Sequence, residues 1–508
     1  MGACRHAVLG MALASVSATS LAQDYCRRAP LMAPLPVEAQ AMRTAAGLFQ
    51  QAAYAQPDGT PAETQVCPDG SVILVTETCP VPPPPPPPPP APMAESDGDG
   101  ADSIVVTGSS VTGYSPGALT RRERRGMRGQ GNGPPAGLLT SGDHDDLLNP
   151  EHFAWFVHSK RSLGQQISVL PLLDTRRSLT VELRDDRGQP RALERVTLEC
   201  ADGNRLELAT ASDGRVVFFP ELDRLSERLV IHAGSEKREI RLAGGRGGQQ
   251  HRLVIGGAPA PVRAMDLMVV LDCTGSMGDE IAFLKSELRE ILVDLKRRHP
   301  QLDLRVGLVA YRDIGDDFVT RTYRLSSDLD ALQASIAQQR GHGGGDMPEA
   351  VDEALARAVE QDWRPEAVKS LMLVADAPPH DDKMGRAWAA AEAARAKGIR
   401  IVPVASSGLD DRAEYFMRLS AALTQSRYVF LTDDSGIGNR HKEPEIACYV
   451  VTSLASTIRR VLDSQLTGRR LEPREGEVIR VNGDYDQGRC GLPPKVRPVP
   501  PPPWGVAD

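Results

Sequence analysis

Three short stretches of this chain carry the side chains that a hard cation needs. The first is Asp272-Cys273-Thr274-Gly275-Ser276, which ends the apolar run from Met265 with one carboxylate and two hydroxyls. The second is the glycine-rich segment Gly341–Glu349, which carries Asp346. The third is Asp376, at the end of another apolar run and just before Ala377-Pro378-Pro379-His380. Carboxylate, hydroxyl and water oxygens suit Mg²⁺, with Mn²⁺ or Ca²⁺ as alternatives, better than any soft metal. Mg²⁺ takes six oxygens and keeps water readily, so such a site can leave one position open. Asp346 has a second reading, because with Glu349 three residues later it makes an Asp-x-x-Glu variant of the helix capping box. Capping alone and capping plus metal contact both remain open. His342 and His380 read as solvated loop side chains, and Cys273 as a small packed one. Asp313, Asp316 and Asp317 read either as an acidic rim or as a polar turn.

The elements that must position these loops follow from the hydrophobic period. Residues 265–272 form an apolar run of the kind that suits a strand buried on both faces. After it, Leu284, Leu288, Ile291, Leu292 and Leu295 mark a helical stripe that ends in basic Lys296-Arg297-Arg298. Further strands are expected at 304–311, 370–376, 399–405 and 428–431, and helices near 328–339, 347–360, 384–397, 412–423 and 444–465. The last of these carries Ile446, Val450, Leu454, Ile458 and Leu462 at spacing four, a face to dock on the sheet. This alternation predicts a doubly wound α/β domain, a mostly parallel sheet with helices on both faces. In such sheets ligands lie outside the carboxyl ends of the strands, where the strand order reverses. The loops at Asp272 and Asp376 fall at strand ends of that kind, and the glycine-rich loop lies between them in the chain.

The three loops, in this order, resemble the von Willebrand factor A domain and its D-x-S-x-S metal motif, over residues 263–465. Val309-Ala-Tyr-Arg-Asp313, Asp376-Ala-Pro-Pro-His380 and Phe430-Leu-Thr-Asp-Asp-Ser-Gly-Ile-Gly438 extend the resemblance to bacterial members. It implies a metal-ion-dependent adhesion site built from Asp272, Thr274, Ser276, Asp346 and Asp376. Thr274 and Ser276 would give hydroxyl oxygens directly, and Asp272 and Asp376 charge, partly through water. In the family, a carboxylate from a partner protein fills the open position. Two residues depart from the pattern. Thr274 replaces the first serine and keeps its hydroxyl. Asp346 stands where adhesion receptors carry threonine, and a third carboxylate would weaken the capture of an acidic ligand. In adhesion receptors of this fold the last helix slides as the site changes affinity, so the resemblance implies either that or simple docking for the helix here.

The remainder of the chain is organised differently. Arg5 and His6, the apolar stretch Ala7–Ala18 and Ser20-Leu21-Ala22 read as a signal peptide over 1–22, which predicts an exported, periplasmic or secreted protein. No later run is long enough for a membrane span. Residues 23–150 read as a low-complexity linker. Within it, Pro82–Pro90 is a polyproline spacer roughly 28 Å long, and Cys67 and Cys79 are placed for a local disulfide. A Cys448–Cys490 pair is a further option. The period changes to two over 176–256, with turns at Asp202-Gly203 and Asp213-Gly214, which predicts a small antiparallel β-sandwich. It resembles carboxypeptidase-regulatory-like modules. Residues 466–508 read as a proline-rich tail. The net charge of −8, from 59 basic and 67 acidic residues, argues against nucleic-acid binding. No H-E-x-x-H or Walker loop is present. A binding module that takes an Asp or Glu of a partner is therefore expected ahead of a metal-dependent hydrolase or a scaffold with a non-functional site.

Overall fold

The sheet that carries the candidate site begins much earlier in the chain than hydropathy indicates. In this computed structural model, which describes residues 24–27, 64–66, 72–74 and 139–491 apart from 246, 346, 407 and 437–440, Thr140–His144 (β1) is a strand buried along its whole length. Its sequence, Thr-Ser-Gly-Asp-His, has no apolar residue, and each polar group is answered instead. The Ser141 hydroxyl bonds that of Thr457 at 2.9 Å, and the Thr140 hydroxyl donates to the Thr432 carbonyl at 2.8 Å. Asp143 sits between Arg427 at 3.0 Å and Arg460 at 2.9 Å. Gly142 is required there, because a Cβ would stand 2.5 Å from the Phe430 ring. Helix α1 (Pro150–Ser159) follows and buries Phe153 and Phe156. Both elements lie in or just beyond the stretch that composition assigns to linker.

Seven strands then form the sandwich: β2 (Leu179–Arg184), β3 (Arg195–Cys200), β4 (Arg205–Ala209), β5 (Arg215–Phe218), β6 (Arg228–Ala233), β7 (Glu236–Arg241) and β8 (Gln249–Val254). They make a sheet β8-β2-β5 and a sheet β4-β3-β6-β7. The alternating residues Leu179, Val181, Leu183, Val196, Leu198 and Ile231 point into one core. One pairing departs from the antiparallel expectation: β8 runs parallel to β2, which lets the chain leave in the direction it entered. Asp24–Arg27 lie on this module. Cys26 is disulfide-bonded to Cys200, and the Tyr25 amide donates to Asp202 at 2.7 Å. Between residues 28 and 138 the described residues are 64–66 and 72–74. Within that stretch, Thr64–Val66 pairs antiparallel with Val72–Leu74. The polyproline run and the expected Cys67–Cys79 pair lie outside the described residues.

The main sheet has the order β11-β10-β9-β12-β13-β14-β1-β15-β16. Its members are β9 (Ala264–Asp272), β10 (Asp303–Tyr311), β11 (Thr320–Ser326), β12 (Val368–Ala375), β13 (Ile399–Ala405), β14 (Tyr428–Thr432), β15 (Tyr449–Ser453) and β16 (Arg480–Asn482). The five strands from β10 to β14 are parallel, and β11 and β1 run against them. Every residue of β9 is buried, as a central strand covered on both faces must be. Its odd-numbered positions from Met265 to Leu271 pack under α2 (Gly278–Arg298), α3 (Leu329–Ala337) and α7 (Leu454–Thr467). Met268 and Val270 face the opposite layer of α1, α4 (Val351–Val359), α5 (Met384–Ala396) and α6 (Asp411–Leu423).

The region 444–465 is not one helix. Tyr449–Ser453 is β15, and α7 begins only at Leu454, where the Ser453 hydroxyl caps the Ser456 amide at 3.2 Å. The spacing of four runs by coincidence across two elements. The β-branched run Val450-Val451-Thr452 favours the extended form, and pairing with β1 and β16 supplies its hydrogen bonds. Cys448 is bonded to Cys490, which fixes residue 490 beside the start of β15.

Candidate metal centre at the carboxyl ends of the strands

Strand order reverses between β9 and β12, because the chain passes from β9 to β10 on one side and returns to β12 on the other. The crevice at that point is built from the last residues of three neighbouring strands. Asp272 ends β9, Tyr311 is its register partner on β10, and Asp376 directly follows β12. The Asp272 carboxylate organises its own loop. Its Oδ1 accepts from the Thr274 amide at 2.9 Å and from the Thr274 hydroxyl at 2.7 Å. This turn leads into a short 3-10 segment, Gly275–Met277, and then into the amino end of α2. The Ser276 hydroxyl is bonded to the Asp376 carboxylate. Asp272, Thr274, Ser276 and Asp376 thus lie together at this crevice; Asp346 lies outside the described residues.

The glycine-rich loop closes over this turn by backbone contacts. The Gly275 amide donates to the Gly343 carbonyl at 3.1 Å, and the His342 amide to the Cys273 carbonyl at 3.1 Å. Gly343 has φ +80, and a Cβ there would strike the Asp316 carboxylate. That carboxylate accepts from the Gly344 amide at 3.0 Å. Glu349 does not play the part that the capping reading gave it. Helix α4 starts at Val351 with Ala350 as its N-cap, so Glu349 precedes the helix and cannot be its third residue. It is instead buried, with its amide on the Pro378 carbonyl at 3.0 Å. His380 is not free either, since its Nε2 lies 2.6 Å from Asp313 Oδ1.

The electrostatics of this cluster are unbalanced. Burial, then the nearby Asp376 charge, raises the Asp272 carboxyl to about 7. Burial also raises Asp376. Burial, followed by Asp272, Asp313, Asp376 and Asp316, raises Glu349 to about 9. Asp272 Oδ2 lies beside the Tyr311 hydroxyl, yet no hydrogen bond of normal geometry reaches it, and Glu349 Oε2 is likewise buried without a partner. Arg312, in the adjoining loop, is taken up by the Cys273 and Arg340 carbonyls and by Asp317. Buried, unpaired carboxylate oxygens are costly unless a cation meets them. The donor set of two hydroxyls and several carboxylates fits a hard divalent ion. Among the described residues no three His, Cys, Asp or Glu side chains form a cage unaided. A cation here would therefore depend on Thr274, Ser276 and water for part of its coordination. Sequence reading missed Glu349 as a member of the cluster and Tyr311 as its floor. The acid beside the glycine loop was visible, but the helix start that would have shown its direction was not.

A doubly wound sheet with an oxygen-rich crevice at its switch point defines a class of α/β domains that take their ligands at the carboxyl ends of the strands. Within that class the chain contains a von Willebrand factor A domain: the family model of that description matches residues 266–439. Domains of this family commonly serve in protein interaction. Relatives are 32% identical over 118 residues to the alpha-protein kinase vwkA of Dictyostelium discoideum and 34% identical over 118 residues to von Willebrand factor A domain-containing protein 7 of Homo sapiens. Each match covers 23% of this chain, and 19% and 12% of those proteins. Among solved structures, the pilus adhesin SpaC of Lactobacillus rhamnosus GG aligns over 42% of this chain and 31% of its own, at 14% identity and TM-score 0.29. BatB of Bacteroides thetaiotaomicron aligns over 40% of this chain and 98% of its own, at 16% identity and TM-score 0.26. No helix among the described residues is long and apolar enough to cross a membrane.

Proposed function

We propose that this protein is a metal-ion-dependent binding module of the cell envelope that takes an Asp or Glu side chain of a partner protein. The reading rests above all on the convergence of Asp272, Thr274, Ser276 and Asp376 around buried carboxylate oxygens, of which Asp272 Oδ2 has no hydrogen bond of normal geometry. Asp272 holds the Thr274 hydroxyl in place, and Ser276 is held by Asp376. Each hydroxyl donates its hydrogen bond to a carboxylate, so that its oxygen can serve as a ligand, and Asp346 belongs to the same proposed set. Mg²⁺, when bound, would supply the positive charge that lets a partner's carboxylate approach an otherwise acidic crevice. Glu349, once a bound ion has displaced its proton, would add a further negative charge beyond the adhesion-site pattern. It should tighten the hold on the ion and weaken the hold on the partner's acid.

Calorimetric titration of the mature protein with Mg²⁺ tests the site. The wild type should bind one equivalent, and Asp272→Ala should lose binding by at least a hundredfold while keeping its far-UV circular dichroism. Unchanged affinity in that variant rejects the site. Partner capture from an envelope extract, compared in Mg²⁺ and in chelator, then tests the binding role. Proteins retained equally in both conditions would argue against it. Export is a separate expectation, since the charged start and Ser20-Leu21-Ala22 predict cleavage after Ala22. Mass spectrometry should find Gln23 at the amino terminus, and an intact Met1 form in the cytoplasm would exclude it.

A further inference from the structure

At the opposite end of the sheet from the crevice, the sandwich docks on the main domain around a cavity of about 320 Å³. The docking itself is well tied. Arg395 of α5 forms a two-pronged pair with Asp223 at 2.6 and 2.9 Å and also donates to the Val217 carbonyl. The cavity lies beside these contacts, between the sandwich turn at Ser212-Asp213 and the starts of β13 and β14. A cavity of this size is at the lower end of those that hold small ligands.

Its lining is strongly basic. Arg215, Arg400, Arg427, Arg469 and Arg470 face it, against Asp145 and Asp213. Arg427 is answered by Asp143 at 3.0 Å, Arg470 by Glu472, Asp145 and Asp143 at 2.6, 3.5 and 3.7 Å, and Arg215 by Glu182 at 3.5 Å. Arg400 and Arg469 have no carboxylate within ion-pair distance among the described residues; Arg400 donates only to the Gln425 carbonyl, at 2.5 Å. Burial pushes the Arg400 guanidinium below its ordinary value, although Asp213 and Asp145 act against this. Two neutral groups in the lining are also unmet. The Ser426 hydroxyl and both ends of the Gln465 amide find no hydrogen-bond partner among the described residues. These two residues are only 6% and 8% exposed. Buried amides and hydroxyls rarely stay unpaired, because each loses its bonds to water without replacement.

We infer that this cavity is a binding site for a small oxyanion with polar substituents, a phosphate monoester or a polycarboxylate. Arg400 and Arg469 hold the anion, and Gln465 and Ser426 read its hydroxyl or carbonyl groups. Guanidinium forks suit both oxyanions through paired N–H donors. Because its walls come from the sandwich, from the sheet and from α7, the ligand would brace the two modules against each other.

The test uses the mature chain in chelator, so that the proposed metal site is silent, at an ionic strength fixed with chloride. Inorganic phosphate, glycerol 3-phosphate and citrate are titrated in parallel, with the thermal midpoint and calorimetry as readouts. At least one of them should raise the midpoint saturably, and comparison of the ester with citrate assigns the ligand class. Arg400→Gln should weaken that binding at least tenfold. Should this variant fail to fold, Gln465→Leu, which keeps side-chain bulk and removes the amide, decides the matter by the same tenfold loss. Asp272→Asn should bind the oxyanion as the wild type does, which separates this site from the proposed metal centre. No saturable shift with any of the three anions, or wild-type affinity in the deciding variant, overturns the inference.

Discussion

Glu349→Gln should raise the thermal midpoint of the metal-free protein by several degrees and shrink the further rise that Mg²⁺ produces. Glu349 is buried among Asp272, Asp313, Asp316 and Asp376, and its carboxyl is raised to about 9. A carboxyl whose value is raised on folding stabilises the fold fully below its unfolded value, near 4, and loses that contribution as pH rises through the folded one. Asp272, at about 7, and Glu349, at about 9, should therefore make the chelated protein progressively less stable from pH 5 to 9. The Gln variant removes the upper part of that slope. Mg²⁺, if bound as proposed, should act in the other direction, because it would bind the charged cluster and not the unfolded chain. At a hundredfold excess over its dissociation constant it contributes about 2.7 kcal/mol, or about 5–10 °C for a domain of this size. Asp272→Asn should abolish that rise. Differential scanning calorimetry at pH 5, 7 and 9, with and without chelator, reads all of these effects. A Gln variant no more stable than wild type in chelator would mean that the cluster is not electrostatically strained.

The loops at Asp272 and Asp376 were legible because each ends an apolar run, and the parallel strands at the centre of the sheet are rich in Val, Leu, Ile and Met. What could not be read was whatever is stabilised by polar pairing or by chain ends meeting. β1 has no apolar period, since its burial is matched by hydroxyl and ion-pair contacts with residues some 290 to 320 positions away. The edge strand β11 alternates partly exposed and exposed residues, so it lacks a burial signal. The Cys26–Cys200 bond joins two segments whose proximity nothing local records. The strand β15 was hidden in a stripe that continued into α7 with the same spacing. Asp272, Thr274, Ser276 and Asp376 stood out by type and order, whereas Glu349 was assigned to a helix cap. Locating the true N-cap at Ala350 required the bridge between Glu349 and Pro379.

The segment around β1 yields the largest stability effect expected in the molecule. Asp146, two residues past that strand, is buried and forms a two-pronged pair with Arg418 of α6 at 2.7 and 3.1 Å. Arg418 is itself only 1% exposed, stacks 3.7 Å over the Phe156 ring of α1 and donates to the Glu445 carbonyl. Burial alone would raise the Asp146 carboxyl, but Arg418 and His144 beside it hold it down at about 2. Asp143 is likewise held far below its ordinary value, against its own burial, by Arg427, Arg460 and Arg470. Groups depressed in this way stabilise the fold above their unfolded value, near 4, and lose that contribution as pH falls towards 2. The protein should therefore unfold cooperatively in acid between about pH 4 and 2. Asp146→Ala leaves the Arg418 charge buried with only Glu414 nearby, at 3.5 Å. Breaking one side of a buried pair costs about 3–5 kcal/mol, so the midpoint at pH 7 should fall by roughly 10 °C. Pairing that change with Arg418→Met removes the stranded charge and keeps contact with the Phe156 ring, so it should recover part of the loss. Should Asp146→Ala melt within about 2 °C of the wild type, the segment before the sandwich would be a passenger on the sheet. A large loss with partial rescue in the double variant would make residues 139–167 an integral part of the von Willebrand factor A fold in this chain.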